Sequence, residues 1–281
     1  MTDQATQREL PSASAMGRTW IPYAGRAGYA TKGVVYLIVG GLAAVAGWGA
    51  GGQTTGSKGA ISEIRQQPFG YWLLWLVAAG LAAYCIWRIV EAVTDPDQKG
   101  TDTTGIVTRL GYLGSGLAHG LLAWTAAPVS GAQPADDGAS ERRGLVGWAL
   151  SLPGGSWILT AIGVAIVGYG GFQVYSGIAN KFMDKYDAAH MSDAERKVAL
   201  YSGKFGLIAR GITFGVIGVF LAIAGWTLDP DEVKGVGEAL DVLARQPYGD
   251  WILLAVGIGL FCYGVFCLVQ ARYRRFRLGT F

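Results

Sequence analysis

The chain has 281 residues, 51% of them hydrophobic and only 15% charged, with a mean hydropathy of +0.32. Soluble domains carry about 25% charged residues and disordered chains lack long apolar blocks, so both classes are excluded; the 44 glycines follow no Gly-X-Y period, which excludes collagen. A net charge of +3 does not point to nucleic acid, and the class that remains is an integral membrane protein.

Taken in chain order, residues 1–20 form a polar tail with Arg8, Glu9 and Arg18 and no apolar h-region, so no signal peptide is expected there. Six apolar blocks then approach the roughly 20 residues that a bilayer core requires of a helix. They run over 29–49, 72–93, 107–129, 157–178, 208–227 and 251–270, separated by turn-forming clusters such as Thr94-Asp95-Pro96-Asp97 and Leu228-Asp229-Pro230-Asp231. Helix is the expected state, because an open strand in lipid leaves backbone groups unsatisfied and these blocks lack barrel-like alternation. Between the members of each pair lies a stretch suited to a helix flat on the bilayer surface: Ala60 to Arg65, Gly144 to Leu150 and Val236 to Arg245. Residues 179–202 form a polar loop. Residues 271–281, with Arg272-Tyr273-Arg274-Arg275-Phe276-Arg277, form a basic tail attracted to anionic lipids.

Only Lys58, Arg65, Arg142, Arg143, Lys234 and Arg245 of the 23 Lys and Arg residues fall on one side of this layout. The positive-inside rule therefore puts the other side, with both termini, in the cytoplasm. Trp48, Trp72, Trp124, Trp148, Trp157, Trp226 and Trp251 map to the outer boundary as an interfacial belt.

The outer loops share a phrase. Gln67-Pro68-Phe69-Gly70-Tyr71-Trp72 leads into the second span, Leu152-Pro153-Gly154-Gly155-Ser156-Trp157 into the fourth and Gln246-Pro247-Tyr248-Gly249-Asp250-Trp251 into the sixth. The odd spans repeat as well, through Arg26, Gly28, Tyr29, Lys32, Gly33 and Tyr36; then Arg109, Gly111, Tyr112, Ser115, Gly116 and His119; then Lys204, Gly206, Leu207, Arg210, Gly211 and Phe214. Even spans carry Tyr84, Tyr169 and Tyr263 at one matched position. Three copies of a two-helix unit follow: repeat 1 over 21–93, repeat 2 over 104–178 and repeat 3 over 203–270. Each copy starts on the same side. The fold class is thus an all-α polytopic membrane protein with six transmembrane helices in three parallel hairpins, short outer interfacial helices, and a pseudo-threefold axis along the membrane normal.

These phrases resemble the bacterial membrane proteins grouped as domain of unknown function 1206, over nearly residues 20–270. The resemblance implies a three-repeat, six-span protein of the bacterial inner membrane and brings no assigned activity. Repeat 2 departs most, with Ser115 for the basic residue and His119 for the aromatic.

Candidate functional residues are few. Gly33, Gly40, Gly116, Gly120, Gly211, Gly215 and Gly218 suit tight packing of the odd helices. In a sharper reading Gly33, Tyr36, Gly116, His119, Gly211 and Phe214 line a conduit on the axis. Lys32 and Arg210 snorkel to head groups, or with Arg26, Arg109 and Lys204 form a basic vestibule or anionic-lipid contact on the cytoplasmic face. His119 reads as a packing residue. Tyr84, Tyr169 and Tyr263, with Gln173 and Tyr175, lend hydroxyls or line a polar track, and Glu91 pairs with Arg88 at i,i+3. Cys85, Cys262 and Cys267 lie in apolar blocks without metal-ligand spacing, and soluble catalytic signatures are absent, so no catalysis, metal or cofactor is expected. The leading functional expectation is a noncatalytic scaffold, accessory subunit or lipid-binding module, with the bilayer, acidic phospholipids and a membrane-protein complex as partners. The alternative is a small channel or transporter along the axis.

Overall fold

The computed structural model of the protein describes residues 13–49, 54, 56–95, 100–128, 139–186 and 190–274. The N-terminal residues 1–12, the basic positions Lys99, Arg275 and Arg277, and Pro96 and Asp97 of the first turn cluster lie outside the described residues. Among those described there are nine α-helices: α1 (Ala13–Gly47), α2 (Ser57–Gln66), α3 (Gly70–Thr94), α4 (Thr103–Ala126), α5 (Ala139–Leu150), α6 (Gly155–Ile178), α7 (Asp193–Thr227), α8 (Val236–Ala244) and α9 (Gly249–Tyr273). No strand occurs among them beyond an isolated bridge between Tyr186 and Arg274.

Five of these helices are long and apolar enough to cross a membrane: α1 from Pro22, α3, α6, α7 and α9. The chain is therefore a multi-pass membrane protein. The block expected as a further span, 107–129, forms α4, which equals α6 in length at 24 residues. It falls short in apolarity because Arg109, Ser115 and His119 interrupt it. Helices α1 and α7 run to 35 residues, well ahead of the apolar blocks at 29 and 208. At α7 a capping box starts the polar extension: the Glu195 amide donates to Ser192 Oγ at 3.3 Å and the Ser192 amide to Glu195 Oε2 at 2.9 Å. The segment expected as a polar loop over 179–202 is thus largely helix from Asp193 onward.

The shared phrase before each even span has one three-dimensional meaning. The residue after each Pro, namely Phe69, Gly154 or Tyr248, takes the left-handed conformation at φ of 63°, 75° and 62°. The next residue is glycine each time. A Cβ on Gly70, Gly155 or Gly249 would stand 2.3, 1.8 or 1.8 Å from a carbonyl oxygen of the preceding short helix. Glycine is what lets the long helix start directly against α2, α5 or α8. The tryptophans expected in the belt are all exposed and cluster at this end of the bundle.

The long helices follow the neighbour order α4, α3, α1, α9, α7, α6, while α4 and α6 form no comparable interface. The expectation that glycines draw odd helices together needs correction. An added Cβ at Gly33, Gly40 or Gly47 of α1 would strike α9 backbone within 2.9 Å, and Gly257 and Gly264 return the contact. Gly211, Gly218 and Gly225 of α7 do the same against α6. The spacing is seven residues, and each odd helix meets the even helix of another repeat. Without a hydrophobic effect to drive them together in lipid, the helices gain from this close backbone approach.

Candidate functional site

Lys32 on α1 and Arg210 on α7 occupy matched positions in repeats 1 and 3, and both are buried, at 2% and 6% exposure. Lys32 Nζ donates to Tyr84 Oη at 3.0 Å and lies 4.7, 5.5 and 5.9 Å from the ring centres of Tyr84, Tyr263 and Tyr36. Arg210 donates through Nε to Tyr36 Oη and through Nη1 to Tyr169 Oη, both at 3.3 Å, and also to Gln173 Oε1. Its guanidinium stacks 4.4 Å from the Phe214 ring centre and 5.0 Å from that of Tyr263. The three matched tyrosines thus converge with Tyr36 on two cations held by ring faces and hydroxyls, an arrangement that lowers the cost of burying charge. His119 brings α4 to the same cluster. Its ring centre is 4.6 Å from that of Tyr84, and its Nδ1 lies 2.7 Å from the Ser115 carbonyl oxygen.

A second group adjoins the first. Arg88 donates to Tyr84 Oη at 2.8 Å and to Glu91 at 2.8 Å. Glu91 is fully buried and also receives Arg274, which in addition donates to Tyr29. Sequence reasoning saw only the local Arg88–Glu91 pair and assigned Arg274 to a lipid-facing tail. Instead Arg274 is buried and ties the end of α9 to α3, across 183 residues of sequence that offer no local signal.

The charge pattern is lopsided. The two adjoining groups hold four cations, Lys32, Arg88, Arg210 and Arg274, and one carboxylate, Glu91, which Arg88 and Arg274 share. Lys32 and Arg210 meet no carboxylate among the described residues. Tyr36, Tyr84 and Tyr169 all accept from cations. Gln173, 4% exposed, gives its Oε1 to Arg210, and its Nε2 is buried with no hydrogen-bond partner. Buried donors almost always find partners, and this cluster is rich in donors and poor in acceptors.

The remaining vestibule candidates lie elsewhere. Arg26 donates to the Arg272 carbonyl at 3.3 Å, and Arg109 to the carbonyls of Ala92 and Val93 at 2.7 and 3.1 Å, closing the end of α3. Lys204 is half-buried on α7. Gly33, Gly116 and Gly211 face α9, α3 and α6 respectively, at contacts between repeats, whereas Tyr36, His119 and Phe214 join the cluster. Tyr175 stacks under Lys181, 4.7 Å from its ring centre, away from Arg210.

Comparison with known proteins agrees with the threefold repetition. A family model described as Domain of Unknown Function (DUF1206) matches residues 27–95, 110–180 and 205–274. An uncharacterised Bacillus subtilis (strain 168) protein, YxxB, is 31% identical over 257 residues, covering 92% of each chain. No solved structure matches.

Proposed function

The chain belongs to the family called Domain of Unknown Function 1206, and from that premise we propose that it is a noncatalytic lipid-binding module of the bacterial cytoplasmic membrane, able to act as a scaffold or accessory subunit. In this reading α4 is the sixth span. Its 24 residues reach about 36 Å at 1.5 Å per residue, enough for a hydrocarbon core about 30 Å thick. The three repeats stand as parallel hairpins about a pseudo-threefold axis along the membrane normal, with both termini cytoplasmic. Support for the axis comes from the matched tyrosines and cations, which reach one shared cluster from helices distributed over all three repeats.

The observation that carries the functional reading is the burial of Lys32 and Arg210 without a carboxylate. An uncompensated charge inside a bundle is costly, and in membrane proteins such residues mark the place where function resides. Aromatic rings and hydroxyls hold the cations but leave the field positive, and an anion completes it.

Native mass spectrometry of the full chain, released from membranes in mild detergent, tests this. Wild type carries acidic phospholipid through purification, and the Lys32→Gln/Arg210→Gln protein loses it, by about fivefold for each cation removed. Equal lipid content in the two proteins would overturn the reading.

A further inference from the structure

In repeats 1 and 3 the two long helices close on each other. An added Cβ on Gly28 would stand 2.5 Å from the Tyr84 backbone, and one on Gly206 would stand 2.6 Å from that of Tyr263; Gly80 and Gly259 return the contact against Thr31 and Ala209. In repeat 2 the matched helices are α4 and α6, and they stand apart. Gly111 and Gly114 have nothing within 4 Å of where a Cβ would stand. Tyr84 and Tyr263 are 0% and 5% exposed, and Tyr169 is 47% exposed. The same contrast holds one turn either way. Val35 and Thr213 are buried where Ala118 is exposed, and Trp87 and Phe266 are buried where Phe172 is exposed.

We infer that this cleft between α4 and α6 is the side entrance through which the head group of an acidic phospholipid passes from the bilayer to Arg210, Gln173 and Lys32, with its acyl chains remaining between the two helices. The inference rests on the anion-binding reading of the cluster and adds the route. Charge complementarity argues for it first. Tyr169 stands in the cleft and its hydroxyl accepts from Arg210, so the opening leads straight to a buried cation and to the unpartnered amide nitrogen of Gln173. Where repeats 1 and 3 present Lys32 and Arg210, repeat 2 presents Ser115 and adds no third charge.

The walls argue for a lipid over a soluble oxyanion. Ala118 on α4, and Ile162, Ala165 and Phe172 on α6, are apolar and exposed to the surroundings of the bundle, which in a membrane are acyl chains. Depth also fits. Tyr169 lies about 21 Å along α6 from Gly155, at 1.5 Å per residue, past the middle of a core about 30 Å thick and nearer the leaflet remote from α2, α5 and α8.

Photo-crosslinking of the full chain in nanodiscs of phosphatidylcholine with a minority of phosphatidylglycerol tests the proposal. Benzoylphenylalanine is placed in the cleft at Ala118 or Ala165, and on outward faces at Leu76 or Ile258. The cleft probes should capture phosphatidylglycerol about fivefold or more above its bilayer share, while the outward probes follow the bilayer composition. Gly111→Leu/Gly114→Leu, which places bulk in open space and leaves the buried cluster intact, should abolish the enrichment and leave the melting temperature in detergent unlowered. Cleft and outward probes capturing alike, with lipid still lost from the Lys32→Gln/Arg210→Gln protein, would overturn the route and leave the anion-binding reading standing. Inorganic phosphate displacing the lipid in competition would make a soluble oxyanion the ligand and overturn the lipid assignment. Lipid content indifferent to Lys32 and Arg210 would remove both.

Discussion

The first and third repeats hold their two long helices backbone against backbone, whereas the second holds α4 and α6 apart and exposes Tyr169 in the space between. The difference is not one of glycine supply. Gly111 stands in register with Gly28 and Gly206, yet it packs against nothing. Repeat 1 also has Arg88 and Glu91 to bind α3 to Arg274 of α9, a latch of that repeat alone, since the matched positions are Gln173 and Ser176 in repeat 2 and Cys267 and Gln270 in repeat 3. Two repeats therefore build the wall and the third supplies an opening, and the buried cations sit where both features meet.

Three pairs of substitutions sharpen or break that contrast. The largest effect is expected at Glu91, since Glu91→Gln leaves the buried Arg274 and the partly buried Arg88 without their carboxylate. It should cost about 3–5 kcal/mol in thermal or denaturant melts of the detergent-solubilised protein. Ser176→Ala at the matched site should stay within about 1 kcal/mol. A loss no larger at Glu91 than at Ser176 would mean that the latch does not hold the first and third repeats together.

Next come the glycines. Gly28→Ala forces a Cβ into the Tyr84 backbone and should cost about 1–3 kcal/mol, whereas Gly111→Ala meets open space and should stabilise by up to about 1 kcal/mol through helix propensity alone. Equal losses at the two positions would show that α4 and α6 are closed in the membrane. The smallest difference concerns the hydroxyls. Tyr84→Phe removes the acceptor that serves both Lys32 and Arg88 and should cost about 1–3 kcal/mol. Tyr169→Phe, at the exposed copy, should cost under about 1 kcal/mol, and its main effect should appear in lipid retention.

Much of this was legible in the chain. The apolar blocks locate the long helices, and the repeated Pro and Gly before Trp72, Trp157 and Trp251 mark turns that share one backbone geometry. Their left-handed residue and pinned glycine give the phrase its physical cause. The polar first turns of α1 and α7 escaped, because apolar run length reports the lipid-crossing part of a helix and not its continuation into water. The glycines of the odd spans suggest packing of odd helices on one another. The contact face repeats every seven residues and belongs to an odd–even pair, a partner choice that spacing on a single helix does not specify. Lys32 and Arg210 drew notice as a matched pair, but snorkelling and burial predict the same residues at the same register, and only the surrounding tyrosines distinguish them. Ser115 and His119 marked repeat 2 as different; that the difference amounts to a separation of α4 from α6 depends on contacts with other helices.

The glycine seam between α1 and α9 joins the first long helix to the last. Synthesis proceeds from the N-terminus, so Gly33, Gly40 and Gly47 wait in the bilayer with their narrow face unmatched until the final helix has emerged from the ribosome. A chain interrupted anywhere before α9 carries that unmatched face as a visible mark of incompleteness, open to quality-control proteases or to the α9 of a neighbouring copy.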